Sequence, residues 1–458
     1  MAVGKWRIPA VARQGMPALK KLIWLYFLLL IFEGALRKWV LPEYSAPLLV
    51  IRDPLGMLII IEAYRTGKWP EKWSMAVGIL AAGFFALCIM QVAMVDNPWV
   101  AALYGLRSYL LPFPVAFVMG ENLDAEDLRK FAICTLWLML PETALEALQY
   151  LAPTDAFLNA GAYEGGAQIG YVGAHVRASG TFSFVVGPAL FGPLATVFIL
   201  YGLVHEWISS KWLLWAAAFA VLVSMPVTGS REFIYLVAAV IASAAVAAAC
   251  GVSEFLKSFK IIFPLALVFV LASFLPVFSE SSQSFAERFK GANETEGGGS
   301  ATRAVASRTV APLLARVVDT DYGSKPLGIG MGRGSAAITK LLLGSTQFIA
   351  GENEIDRAMN ELGPIPGLAF TFFRFVLAFA ILAKAYSRAR AGSPLALLLA
   401  PLMFSSVTFG ILEQPTGQGF MVIFMAFSLA ALKAPGTERK VLEQPRLARP
   451  LSYSSPAR

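Results

Sequence analysis

Long runs of mostly apolar residues recur along the chain, with short polar links between them. A helix of about 20 apolar residues crosses the hydrocarbon core of a bilayer. The pattern predicts twelve such helices, near 22–41, 46–64, 74–95, 100–119, 128–151, 181–203, 212–228, 231–250, 258–278, 363–385, 394–412 and 418–433. The second contains Arg52-Asp53-Pro54, and the last is short. Only one polar stretch is long enough to form an extramembrane domain, 279–362. The expected architecture is an all-α polytopic membrane bundle. Nine spans fall within 1–278, a large loop fills 279–362, three spans fall within 363–433, and 434–458 is a disordered tail. No fixed-period repeat is visible in the sequence.

Composition agrees with the pattern: 57% of the 458 residues are hydrophobic and only 15% are charged, with a mean hydropathy of +0.63. The net charge of +8 sits in the short links, where membranes orient cations, so nucleic acid is not an expected partner. Cys88, Cys134 and Cys250 lie inside apolar runs, so no disulfide or thiolate–metal framework is expected. With only His175 and His205 available, no metal site and no cofactor are expected either. Basic residues precede the first run and no small-residue cleavage pattern follows it, so it reads as an uncleaved span. Lys and Arg concentrate in the links on the side of the N-terminus. The short links on the opposite side hold only Arg37, Lys38, Arg177 and Arg231. This asymmetry predicts both termini inside and the long insert outside.

Charged groups inside spans are costly and are usually paired or functional. Arg107 in the fourth span has two readings, a clamp to Glu142 and Glu146 of the fifth span or a contact to substrate. Glu33 and Arg374 read first as structural. In the insert, Val310, Leu313, Leu314, Val317 and Val318 have helical spacing and suit a helix lying on the membrane surface. The turn Gly328-Ile-Gly-Met-Gly-Arg-Gly334 resembles a phosphate cradle but lacks the P-loop Lys-Ser/Thr. It reads as a flexible reversal, with Arg333 as a candidate substrate contact. Glu352, Ile355, Met359 and Leu362 would share one helical face.

Two arginines stand on separate outer turns beside Gly and Ser: Arg177 before the sixth span, and Arg231 between the seventh and eighth. A guanidinium is permanently charged and forked to match phosphate oxygens, so the pair suits a diphosphate bound without metal. The alternative is that both are helix-end anchors whose charges reach the headgroups.

Four features together resemble one family. They are Arg177-Ala-Ser-Gly-Thr-Phe182, Gly229-Ser-Arg231, Pro326-Leu-Gly-Ile-Gly-Met-Gly332, and Glu352-Asn353 followed by Glu361-Leu-Gly-Pro-Ile-Pro-Gly367. In this order they are similar to the O-antigen ligase and Wzy-type polysaccharide polymerase family, over roughly 170–370. The resemblance implies a glycosyltransferase in a bacterial inner membrane, active on the periplasmic face and using an undecaprenyl-diphosphate-linked glycan. A chain-length regulator or export machinery would be a further partner. It implies that Arg177 and Arg231 hold the diphosphate. The family's loop motif usually has His before Asn; here Glu352 precedes Asn353, and a carboxylate can accept a hydroxyl proton. Desolvation over Ile355 and Met359 would make it more basic, whereas a charge at a helix N-terminus is its structural reading. His175, two residues from Arg177, is the alternative base. Polymerase is expected ahead of ligase acting on lipid A core. A transporter or flippase is the competing class, and an export scaffold a third.

Overall fold

In the computed structural model, residues 17–162, 171–172, 175–205, 207–250, 281–283, 325–335 and 353–433 are described. The all-α expectation holds for them. Helix α1 (Ala18–Ala35) runs on as a single π-turn, Leu36–Val40. The second predicted run is split into α2 (Ser45–Leu48) and α3 (Arg52–Arg65). The split places Arg52 and Asp53 in the first turn of α3, where both find ionic partners. Then come α4 (Glu71–Met94), α5 (Trp99–Leu110), α6 (Pro112–Asn122) and α7 (Ala125–Leu151). The only strands among the described residues are a two-residue antiparallel pair, β1 (Tyr171–Val172) and β2 (His175–Val176). Helices α8 (Val186–His205), α9 (Lys211–Thr228) and α10 (Arg231–Ala249) follow. The last four are α11 (Glu354–Leu362), α12 (Pro364–Arg390), α13 (Leu395–Thr408) and α14 (Pro415–Ala431).

Seven helical segments among the described residues are long and apolar enough to cross a membrane: α4, α5 with α6 as one segment, α7, α8, α9, α10 and α12. Helices α13 and α14 are apolar but shorter. The predicted run 258–278, the helical spacing at 310–318, Glu352 and the tail from 434 lie outside the described residues. Prolines sit inside α7, α8, α9 and α13 (Pro141, Pro193, Pro226, Pro401). Packed neighbours make such interior prolines tolerable in apolar bundles.

Burial sorts the helices by position. Every residue of α14 from Thr416 to Ala431 is buried, so this helix is the axis of the bundle. At its side Trp24 stacks on Phe131 at 3.9 Å, and Phe131 meets Phe427 at 5.1 Å. Helix α4 is the opposite case. Met75, Ile79, Ile89 and Met94 are all exposed on it, a surface that suits lipid and not water.

Hydrogen bonds gather the helix termini into two ends. At one end Lys20 bridges to Asp124 at 2.9 Å, and Asn122 Nδ2 donates to the Lys68 carbonyl at 3.0 Å. Lys433 Nζ donates to the Glu121 carbonyl there. At the other end Arg52 at the start of α3 bonds Pro415, Arg374 of α12 bonds Val407 of α13 and Gly410, and the loop bearing Arg177 bonds Thr228 at the end of α9. Most of the buried ionic groups lie at this second end.

Candidate functional site

The loop after β2 is fixed from beneath by helix α7 and from the side by the π-turn. Gly180 has φ +57°, and a Cβ there would fall 1.7 Å from Glu142 Oε1, so only glycine fits. Gln149 Oε1 accepts from the amides of Ser179 (3.1 Å) and Gly180 (2.8 Å). Its Nε2 donates back to the Gly180 carbonyl at 3.2 Å and to Leu158 O at 3.0 Å. Lys38 Nζ donates to the same Gly180 carbonyl at 2.6 Å and to Ser179 Oγ at 3.0 Å. The Thr181 amide donates to Glu142 at 2.7 Å.

From this loop Arg177 Nε donates to the Thr228 carbonyl at 3.2 Å. Thr228 ends α9, Gly229 caps it in the left-handed region at φ +58°, and Arg231 opens α10 after Ser230. The segments carrying Arg177 and Arg231 are therefore in direct contact, and both arginines are half-buried. His175 Nδ1 lies 2.9 Å from the Tyr150 carbonyl, and its ring stacks on Tyr150 at 4.3 Å.

Arg107 does not clamp Glu142 or Glu146. Its Nε meets Asp53 of α3 at 2.5 Å, and its guanidinium lies over the Tyr104 ring at 4.6 Å. Its Nη1 and Nη2 are buried and have no hydrogen-bond acceptor among the described residues. The neighbouring Arg52 binds Glu33 at 2.9 Å, and Glu33 also pairs with Arg37 at 3.4 Å. Arg37 in turn donates to Ser183 Oγ and to the Ala162 carbonyl, each at 3.0 Å. The helix that carries Glu142 faces the Arg177 loop, which explains the difference: Glu142 is spent on a loop amide.

The Gly328–Gly334 turn is not a flexible reversal. Glu361 accepts from the amides of Gly332 (3.1 Å) and Gly334 (2.8 Å), from Tyr109 Oη (2.9 Å) and from Arg357 (3.3 Å). Gln91 on α4 accepts from the Met331 amide at 2.8 Å and donates to the Leu327 and Glu361 carbonyls, each at 2.7 Å. Gly332 has φ +80°, and a Cβ on it would lie 2.1 Å from Ala101 O. The cradle that resembles a phosphate site is filled by the protein's own carboxylate. Arg333 Nε donates to Asn97 Oδ1 at 3.1 Å.

Helix α11 is held by the same network. Asn353 is its N-cap, its Oδ1 accepting from the Asp356 amide at 2.9 Å. Ile355, Met359 and Leu362 are buried, as the predicted helical face requires. Glu354 takes two hydrogen bonds from Arg357, at 2.9 and 2.8 Å, and pairs with Arg374 at 3.2 Å. Arg374 also donates to the carbonyls of Val407 and Gly410, both at 2.6 Å.

Among the described residues no group of three or more His, Cys, Asp or Glu side chains is placed to hold a metal ion. In comparison with known proteins, no family model and no curated protein matches the chain. The sequence pattern singled out Arg177, Arg231, His175 and Arg107, which the structure puts at one end of the bundle. It missed Gln149, Lys38, Gln91 and the Glu354–Arg357–Glu361 set. A glutamine inside an apolar run is itself a signal, because its amide must find partners once buried. Gln91 and Gln149 both carried that signal.

Proposed function

We propose that the chain is an integral-membrane glycosyltransferase that polymerises undecaprenyl-diphosphate-linked oligosaccharide repeat units. The full reading has twelve spans in a bacterial inner membrane, with both termini cytoplasmic and the 279–362 loop periplasmic. One observation carries it best: the hydrogen bond from Arg177 Nε to Thr228 O joins the loop and the turn that bear the two arginines. In this reading Arg177 and Arg231 neutralise the departing diphosphate, whose charge grows in the transition state. Arg107, with buried nitrogens that have no acceptor among the described residues, supplies a further anion contact. Glu352 takes the proton of the acceptor hydroxyl, whose oxygen bonds to the anomeric carbon as the bond to the diphosphate breaks, a single displacement with inversion; His175 is the alternative base. Asn353 and Arg333 line the path of the glycan in this scheme, away from the diphosphate, and both also hold local structure.

The test is transfer by the purified protein on a lipid-diphosphate oligosaccharide. A ladder of products is expected. A single adduct on lipid A core would make the chain a ligase, and transport without any covalent product would make it a flippase. Arg231→Lys keeps the charge and loses the fork, and it is expected to lower transfer about 100-fold. Unchanged transfer would remove Arg231 from the diphosphate.

A further inference from the structure

The geometry points to Gln149 as a positioning residue for Arg177, acting with Lys38 as a two-sided clamp on the Ser179–Gly180 backbone. This inference rests on the diphosphate reading of Arg177. The clamp itself is a matter of geometry.

Gln149 is fully buried. Both ends of its amide are used on one short piece of chain: the oxygen holds the Ser179 and Gly180 amides, and the nitrogen holds the Gly180 carbonyl. Lys38, buried on the π-turn, approaches that carbonyl from α1. The π-turn adds one residue to the local repeat, which changes the direction in which side chains leave the helix. Lys38 leaves it toward the loop. Thr181 then ties the loop to both neighbours, through its amide to Glu142 and its hydroxyl to Ile31 O at 2.8 Å. The Ser179 and Gly180 peptide groups are therefore held in a buried, water-poor setting, where such bonds are hard to replace. Arg177 is two residues upstream, on the same fixed backbone, and reaches Thr228. A guanidinium must be held in place before its ligand arrives if it is to bind a diphosphate in both orientation and charge. Three side chains from two helices meet one tripeptide, more than a passive link needs.

The test uses the full chain in lipid nanodiscs, with two readouts. The first is backbone amide exchange. In Gln149→Ala the amides of Ser179 and Gly180 are expected to exchange at least about tenfold faster, while those at the middle of α7 keep their protection. Gln149→Glu keeps an oxygen for both amides and is expected to restore most of it. Lys38→Met removes the other side of the clamp and is expected to speed Gly180 and Thr181 exchange. The second readout is binding of undecaprenyl diphosphate without glycan. Gln149→Ala is expected to weaken it about tenfold, with undecaprenyl monophosphate affected less. Unchanged exchange at Ser179 and Gly180 overturns the clamp. Faster exchange with diphosphate binding intact, where Arg177→Ala abolishes binding, overturns the positioning role. If Arg177→Ala itself leaves diphosphate binding unchanged, the positioning role falls together with the diphosphate reading, and exchange still reports on the clamp.

Discussion

Two places in this chain set glycine beside arginine at the same end of the bundle, and they are built differently. The Gly328–Gly334 turn looks more like an anion site, since its amides converge as they do around phosphates. Those amides already hold Glu361, and Arg333 in the same turn is bonded to Asn97. The backbone of the Arg177 loop is held from behind by Gln149 on the Ser179 and Gly180 amides, by Lys38 on the Gly180 carbonyl and by Glu142 on the Thr181 amide. An anion nest with a built-in anion is a fastener. A loop fixed from behind, with an arginine at its front, suits a ligand.

The largest effect that separates the two regions is expected at Glu361. Glu361→Ala removes the acceptor shared by two turn amides and Tyr109, and leaves Arg357 with Glu354 as its one carboxylate among the described residues. Breaking a buried, hydrogen-bonded ion pair from one side costs about 3–5 kcal/mol. A large fall in the thermal midpoint of the detergent-solubilised protein is the expected result. A midpoint equal to wild type would show that the turn is not fastened there. Gly332→Ala comes next. It forces a side chain into φ +80° and against Ala101 O, for about 1–3 kcal/mol of backbone strain before the clash is counted. Its signature is lower stability with diphosphate affinity retained, and lost affinity in a stable protein would move the site to the turn.

The apolar periodicity made the helices legible, because burial or lipid exposure requires long apolar runs whatever the fold. The ionic partners were harder to read. Helical spacing offers Arg107 the carboxylate of Glu142 in the next span, whereas the structure gives it Asp53 of α3. Nothing in helical spacing ranks those two carboxylates. The turn's glycines announced tight backbone, yet not its purpose, since Glu361 lies 27 residues from Gly334. The Arg177–Arg231 proximity came from motif order and not from spacing. In the structure Gln149 holds the loop that bears Arg177; a buried glutamine was legible, but which backbone its amide meets is visible only once the loop is folded.

The smallest effect is a control at the opposite end, away from both arginine sites. Asp124 caps α7 by accepting from the Glu126 and Asp127 amides at 3.0 and 2.9 Å. Partial burial works against its charge, but the Asp127 amide and the Lys20 ammonium hold its carboxyl down from 3.8 to about 2. Asp124→Ala should cost about 0.5–2 kcal/mol of stability, as lost caps do. The folded carboxyl titrates lower than the unfolded one, so its contribution is complete above about pH 4 and fades as pH falls toward 2. Wild type and variant should therefore differ in unfolding at neutral pH and converge in acid, with transfer activity equal at neutral pH. A gap that widens in acid would rule out the capping charge.

The most direct measurement compares Arg177→Ala with Arg333→Ala for binding of undecaprenyl diphosphate to the purified protein, read by native mass spectrometry. Loss of binding is expected for Arg177→Ala, with binding retained in Arg333→Ala. The reverse pattern would place the diphosphate in the glycine-rich turn and contradict the division between the two regions.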